Sequence, residues 1–388
     1  MNIYKKIFLA LFAIGTLFLL AFFLLPQILA VTYSSAKPED LYAEETVAVK
    51  TEASVIEVKK ANHVKRPEMM KAIYMTSCVA GTPSWRERLA KMIDDTEINS
   101  IVIDIKDYTG MVSYDTELPE FVKNSSCFVR DMKELLENLH ARGIYVIGRV
   151  TVFQDSTYVK AHPDLAVKKK DGTIWKDRKG LSFIDVGATP YWDHMVTLAK
   201  KAHDDGFDEI NFDYIRYPSD GDMTNIWFSQ SPASTTKVAN LERFFKHLRE
   251  NIPQDKPIIS GDLFGMTTTN SDDLNIGQKL EPALKYFDYV YPMVYPSHYP
   301  KTWHGFQNPA ASPGEVIKIA MAGAVAKANN ASTTPDKLCP WLQDFDLGAT
   351  YTPAMVRAQI DSTYAVGLKC WLLWDAGNNY TPSALHKE

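Results

Sequence analysis

The 388-residue chain is 46% hydrophobic and 12% aromatic, enough to bury a large core, as one domain of roughly 250–320 residues with extras or as two smaller ones. A net charge of −5 and a pI near 6.0 give no electrostatic case for nucleic acid or anionic lipid as the main partner. Neither a GxxxxGK phosphate loop nor GxGxxG occurs, so no nucleotide cofactor is expected.

At the N-terminus, Lys5 and Lys6 precede a nearly uncharged apolar run from Ile7 to Leu25, with Pro26 just after. A run of that length can span a membrane as a helix and exceeds the usual core of a cleaved signal peptide. The basic flank should stay inside, so residues 1–30 are expected to form a signal anchor with the remainder exported, or a signal whose cleavage releases it. Residues 31–66 are polar and of mixed charge, the composition of a flexible linker. Cys78, Cys127, Cys339 and Cys370 show no CxxC or zinc-like spacing, so no structural metal is expected. An exported protein permits disulfides, and of the three pairings Cys339–Cys370 is favoured because both open neighbouring predicted strands.

From residue 67 short apolar runs alternate with amphipathic segments. Predicted strands cover Lys71–Ser77, Ser100–Lys106, Ile144–Val150, the core of Asp204–Gly221, Pro257–Leu263, Asp288–Tyr295, Leu338–Asp344 and Leu368–Trp374. Predicted helices cover Ser84–Glu97, capped by Ser84, Val129–Arg142, Pro190–Asp205, Lys237–Asn251, Gly314–Lys327 and Pro353–Val366. Between Thr151 and Gly187 the turns KKKDGTIW and DRKG mark a hairpin excursion, and connections of that length are usually functional. Eight strands in strict βα alternation predict an α/β fold, a (β/α)8 TIM barrel over residues 67–388. An open doubly wound sheet shares the alternation but usually opens with a phosphate-binding turn, absent here.

In such a barrel the C-terminal strand ends and the loops after them build the site. Those ends carry Asp104, Asp107 and Tyr108 on the second strand and Arg149 on the third. The fourth carries Asn211, Asp213 and Arg216, and the fifth Asp262. Tyr291, Tyr295 and His298 follow on the sixth, Trp341 and Gln343 on the seventh, and Trp374 and Asp375 on the eighth. There is no HExxH and no GxSxG elbow, which leaves zinc-peptidase and serine-triad chemistry without support.

Two carboxylates among aromatics are what glycoside cleavage requires, one as acid on the leaving oxygen and one as nucleophile or base. Asp213 is assigned nucleophile or base and Asp262 the acid; the other strand-end residues would bind substrate, with Tyr108, Tyr295, Trp341 and Trp374 as stacking surfaces. The bland reading of the fourth strand is an Asp213–Arg216 ion pair, and that of each aromatic is core packing. The expected partner is a poly- or oligosaccharide; the rival reading is a non-catalytic carbohydrate-binding barrel at the cell surface.

The segments GFDEINFDYIRYP (206–218), SGDLFG (260–265), PMVYPSHY (292–299), PWLQDF (340–345) and LKCWLLWDAGNNYT (368–381), with HPDLAVKKKDGTIW before them, resemble the bacterial glycoside hydrolase domain family DUF4015 from about Lys71 onward. The resemblance implies a barrel and glycosidase activity without a substrate. The fourth strand is also similar to the DGxDxDxE strand of chitinase barrels, but Ile215 stands where those enzymes place their acid. The pair Asp213 and Asp262 is similar to the strand-four nucleophile and strand-five acid of the α-amylase group, which uses glutamate for the latter.

Overall fold

The strands close on themselves. In a computed structural model, which describes residues 61–253 and 257–387, the parallel strands β1 (Lys71–Met75), β2 (Ser100–Lys106), β3 (Tyr145–Thr151), β4 (Glu209–Asp213), β5 (Ile258–Phe264), β6 (Tyr289–Met293), β7 (Trp341–Gln343) and β8 (Trp371–Trp374) pair in chain order. β8 returns to β1 through Lys71↔Trp371 and Ala72↔Leu372, completing the barrel. Every residue of β1 through β4 is buried, as strands sandwiched between a packed interior and a helical coat must be. Gly148 lets this packing happen: a Cβ there would sit 2.2 Å from Ile105 Cδ1.

Seven helices cross between consecutive strands among the described residues: α1 (Pro83–Asp94), α2 (Met132–Ala141), α3 (Thr189–Asp205), α4 (Lys237–Asn251), α5 (Leu280–Tyr286), α6 (Pro313–Asn330) and α7 (Pro353–Ala365). Right-handed βαβ crossovers require such helices to cover the barrel. α1 starts one residue earlier than expected, with Thr82 rather than Ser84 at the cap position, because Pro83 suits the first helical turn. The first strand stops at Met75, and Ser77 begins a one-turn helix, Ser77–Ala80, capped by the Thr76 hydroxyl. Sequence patterning missed α5: Pro282 reads as a breaker, yet it stands in the first turn, where its lost N–H has no intrahelical partner anyway.

The excursion after β3 is a small structure of its own. A helix, Ser156–Ala161, leads to Lys168–Lys169, which pairs antiparallel with Ile226–Trp227 from the loop after β4. Val167, Trp175 and Phe183 form a satellite core beneath this clasp, backed by Met223, Ile226 and Phe228. Two long loops on the C-terminal face are thereby locked into one wall.

The apolar run Ile7–Leu25 and the linker up to residue 60 lie outside the described residues. Among the described residues no helix is long and apolar enough to cross a membrane. Residues 61–66, assigned to the linker, are instead docked on the barrel floor. The Val64 N–H bonds Asp208 at 2.8 Å and His63 Nδ1 approaches the same oxygen at 3.3 Å. Arg66 enters the floor itself, 3.5 Å from the fully buried Glu209 and 3.4 Å from the centre of the Tyr289 ring. The cysteines pair as Cys339–Cys370, as favoured, and Cys78–Cys127.

Candidate active site

Inside the barrel the polar residues fall into levels. At the floor, Glu209 accepts hydrogen bonds from Tyr145 (2.9 Å) and Tyr291 (2.5 Å). Tyr291 therefore is no substrate contact: it sits in the middle of β6, is fully buried, and spends its hydroxyl on the floor. Two residues further along β4, Asn211 reaches across to β5. Above that lie the two carboxylates, Asp213 and Asp262, at neighbouring positions on β4 and β5, since Phe212 pairs with Gly261.

Asp213 ends its strand. The next residue, Tyr214, turns to φ +54°, and its N–H bonds Asp213 Oδ1 at 2.6 Å. The other oxygen accepts from Arg149 Nε (3.0 Å) and Nη2 (2.5 Å). Arg149 Nη1 continues to Asp104 (2.7 Å), whose second oxygen accepts from Tyr74 (2.5 Å). Burial pulls the guanidinium of Arg149 toward deprotonation, but Asp213 and Asp104 outweigh it and hold its pKa well above the ordinary value. Burial raises the pKa of Asp104 despite Arg149 and the Tyr74 hydroxyl. The ion pair expected as the bland reading, Asp213 with Arg216, is absent. Arg216 turns toward its own loop and bonds the Tyr217 carbonyl (3.1 Å) and Ser219 Oγ (3.2 Å).

Asp262 has a different environment. One oxygen accepts from Asn211 Nδ2 (2.9 Å) and Trp341 Nε1 (3.0 Å). Among the described residues no cation comes within ion-pair distance of it, and its other oxygen accepts no hydrogen bond. Burial, then the neighbouring charge of Asp213, push its pKa well above the ordinary carboxylate range, against the charge of Arg149 and the two donors. The two acids thus sit in contrasting surroundings, Asp213 held by a guanidinium and Asp262 buried with two neutral donors on one oxygen.

Both face a cavity of about 300 Å3 at the C-terminal end of the barrel, lined also by Arg149, Arg216, Tyr295, His298 and Trp374. Tyr74 stacks on Trp374 with ring centres 4.1 Å apart, and of the two only Trp374 lines the cavity. Burial lowers the pKa of His298, whose Nδ1 meets Ser297 Oγ at 3.0 Å.

Several expected contacts lie elsewhere. Trp341 is 1% exposed, so it positions Asp262 through its indole N–H and offers no face for stacking. Asn211 is likewise buried behind Asp262. Asp107 caps its own turn through Thr109 and Asn124, and Asp375 does the same through Gly377 and Asn379. Gln343 is consumed by the loop carbonyls of Phe345 and Leu347 and the Ser297 N–H. Tyr108 is 54% exposed, outside the cavity lining. Asp104 stands behind Arg149 rather than at the surface of the site. Conversely, the reading from sequence missed Tyr74, Tyr214, Phe264 and Tyr299. Tyr74 was recoverable, because it stands near the end of the first strand, the only one whose end went unread. Among the described residues no group of three or more His, Cys, Asp and Glu could hold a metal ion.

The family model described as "Putative glycosyl hydrolase domain" (DUF4015) matches residues 72–380. No curated protein matches the sequence. Among solved structures the chain is similar to the PgaB (BpsB) glycoside hydrolase domain from Bordetella bronchiseptica, at 13% identity and a TM-score of 0.57, over 79% of this chain and 94% of that one. It is similar to alpha-L-fucosidase isoenzyme 2 from Paenibacillus thiaminolyticus, at 12% identity and 0.54, over 82% and 47%. It is also similar to the alpha-galactosidase TtGalA from Thermus thermophilus, at 13% and 0.52, over 84% and 61%. At such identities these likenesses carry the barrel fold alone.

Proposed function

Because the chain belongs to the DUF4015 family of glycosyl hydrolase domains, we propose that it hydrolyses an O-glycosidic bond with Asp213 as nucleophile or base and Asp262 as general acid. The observation that carries this is the contrast between the two carboxyl groups. Asp262 is buried with no cation in ion-pair distance among the described residues and its pKa is raised by burial and Asp213, so it retains a proton to give to the leaving oxygen. Asp213, with Arg149 and a backbone N–H on its oxygens, is oriented for attack on the anomeric carbon or on a water beside it. Trp374, backed by Tyr74, supplies the sugar-stacking face. In the retaining course the proton of Asp262 passes to the glycosidic oxygen as that oxygen's bond to the anomeric carbon breaks and a bond from Asp213 forms; water then attacks the anomeric carbon, giving its proton to Asp262 and releasing Asp213. In the inverting course Asp213 takes the proton of the attacking water.

The substrate we propose is a poly- or oligosaccharide of the cell envelope or outside it. Two disulfides suit an oxidising compartment, and the basic residues followed by the apolar run at the N-terminus suit export with a membrane anchor. The test is turnover on a panel of glycans by wild type, Asp213→Asn and Asp262→Asn. Each substitution is expected to lower kcat by roughly 10²–10⁴; Asp262→Asn should melt no lower than wild type, whereas Asp213→Asn, which breaks the buried pair with Arg149, should melt lower and is assayed at a temperature where it is folded. Wild-type rates in both variants would remove the assignment. Glycans bound but never cut would favour a carbohydrate-binding barrel instead.

A further inference from the structure

Two arginines line the cavity, and only one of them is neutralised. Arg149 spends its guanidinium on Asp213 and Asp104. Arg216 is half-buried, and only its Nη1 is engaged, on two uncharged acceptors, the Tyr217 carbonyl and Ser219 Oγ. Nε and Nη2 make no hydrogen bond to the described residues, and no carboxylate among them comes within salt-bridge distance. The guanidinium is held between two aromatic walls of the same cavity, 5.1 Å from the centre of the Tyr214 ring and 5.1 Å from that of Phe264. Of the acids whose charge acts on Arg216, Asp213, Asp177 and Asp220, none forms an ion pair with it, and Asp213 has both oxygens occupied by Arg149 and the Tyr214 N–H. Burial pulls the pKa of Arg216 below its ordinary value, the reverse of Arg149. A cation withdrawn from water without a partner costs stability unless something binds it.

The wall beside it carries several basic residues alongside Asp177 and Asp220. Arg178 at the tip of the excursion lies 3.3 Å from Asp220, four residues beyond Arg216, and the Trp175 ring packs against Gly221. On the same tip Lys176 and Lys179 are exposed and pair with no acid among the described residues, in a chain whose net charge is −5.

We propose that the glycan taken by this site is anionic, and that Arg216 is the specificity residue that receives its acidic substituent. The proposal rests on the glycosidase reading for the sugar's position, with the substituent held on the β4 side of the cleft. The free Nε and Nη2 edge of the guanidinium matches the paired oxygens of a carboxylate or a sulfate. Lys176 and Lys179 would then meet further negative groups along the chain, as in a polyuronate or a sulfated polysaccharide.

The test uses the full chain and a glycan array built of matched pairs: uronic-acid oligosaccharides with their carboxyl-reduced forms, and sulfated oligosaccharides with their desulfated forms. Wild type is expected to bind the anionic member at least tenfold more tightly in one series, and the series affected tells carboxylate from sulfate. Arg216→Gln should abolish that preference, and Arg216→Lys, which keeps the charge without the fork, should retain part of it, both with wild-type melting curves. Equal binding within every pair, preference for neutral members, no binding at all, or a preference unchanged in Arg216→Gln would each overturn the proposal. Anionic glycans bound with this preference but left uncut would uphold Arg216 and sink the hydrolase reading. Neutral glycans cleaved as well as anionic ones would do the opposite.

Discussion

Asp262 makes a prediction about stability that is separate from catalysis. Its pKa in the folded chain lies well above that of an unfolded aspartate, so folding takes up a proton at pH values between the two. The stability this group contributes is fully present below the unfolded pKa and is lost as pH rises through the folded one. Asparagine has the same shape and no proton to lose. Asp262→Asn should therefore abolish turnover yet gain melting temperature relative to wild type as pH rises, measured by calorimetry from pH 4 to 9; parallel curves would refute the buried, protonated acid. Trp341→Phe tests the same group from the other side. The indole N–H favours the charged form, so its removal lets the pKa of Asp262 climb further, and the alkaline limb of kcat/KM should move to higher pH. Residue identities were legible wherever an acid interrupted an apolar strand, as at Asp213 and Asp262. Directions were not: whether Trp341 offers its face or its N–H, and whether Tyr291 serves the mouth or the floor, depends on strand tilt and level within the barrel. No local pattern encodes that.

Among the elements, the clasp between the loops after β3 and β4 is the one whose contribution can be isolated. Its satellite core rests on Trp175, 1% exposed, with its indole N–H on the Asp222 carbonyl at 2.9 Å. Trp175→Ala removes the largest side chain of that small core, a change that costs about 3–5 kcal/mol where it must be borne in full. The barrel has its own core, so the loss should appear as local opening. Limited proteolysis is expected to nick residues 168–182 and 219–231 in the variant and to spare them in wild type, with the barrel's melting temperature little changed. Substrate KM should rise, since the clasp holds the wall beside Arg216. From sequence the excursion showed as a length anomaly with turn motifs, but its pairing partner, Ile226–Trp227, is only two residues long and lies almost 60 residues away. So short a rung has no periodicity to read. α4, by contrast, was bounded to the residue by its apolar spacing, with Thr236 capping it through the Ala239 N–H.

At the scale of the whole molecule, the βα alternation sufficed to specify a closed barrel because each crossover allows one handedness and eight strands close without an exposed edge. The alternation says nothing of what fills the two ends. The upper end holds the site; the lower end is stoppered by residues 61–66, a stretch whose polar composition reads as tether. The Arg66 side chain is 8% exposed and meets Glu209, which is fully buried and, among the described residues, otherwise has only the Tyr145 and Tyr291 hydroxyls. Glu209 stands two residues before Asn211 and four before Asp213 on one strand, so the stopper anchors the strand that carries the site. Breaking a buried pair by removing one partner costs about 3–5 kcal/mol, chiefly from the charge left behind. Arg66→Met should therefore lower unfolding free energy by that order in chemical denaturation. If the uncompensated acid is the cause, Arg66→Met combined with Glu209→Gln should recover most of the loss, because the amide is neutral: its oxygen accepts from one tyrosine hydroxyl and its NH2 donates to the other. A double variant no more stable than Arg66→Met alone would mean that the arginine acts by filling the floor and stacking on Tyr289, not by its charge.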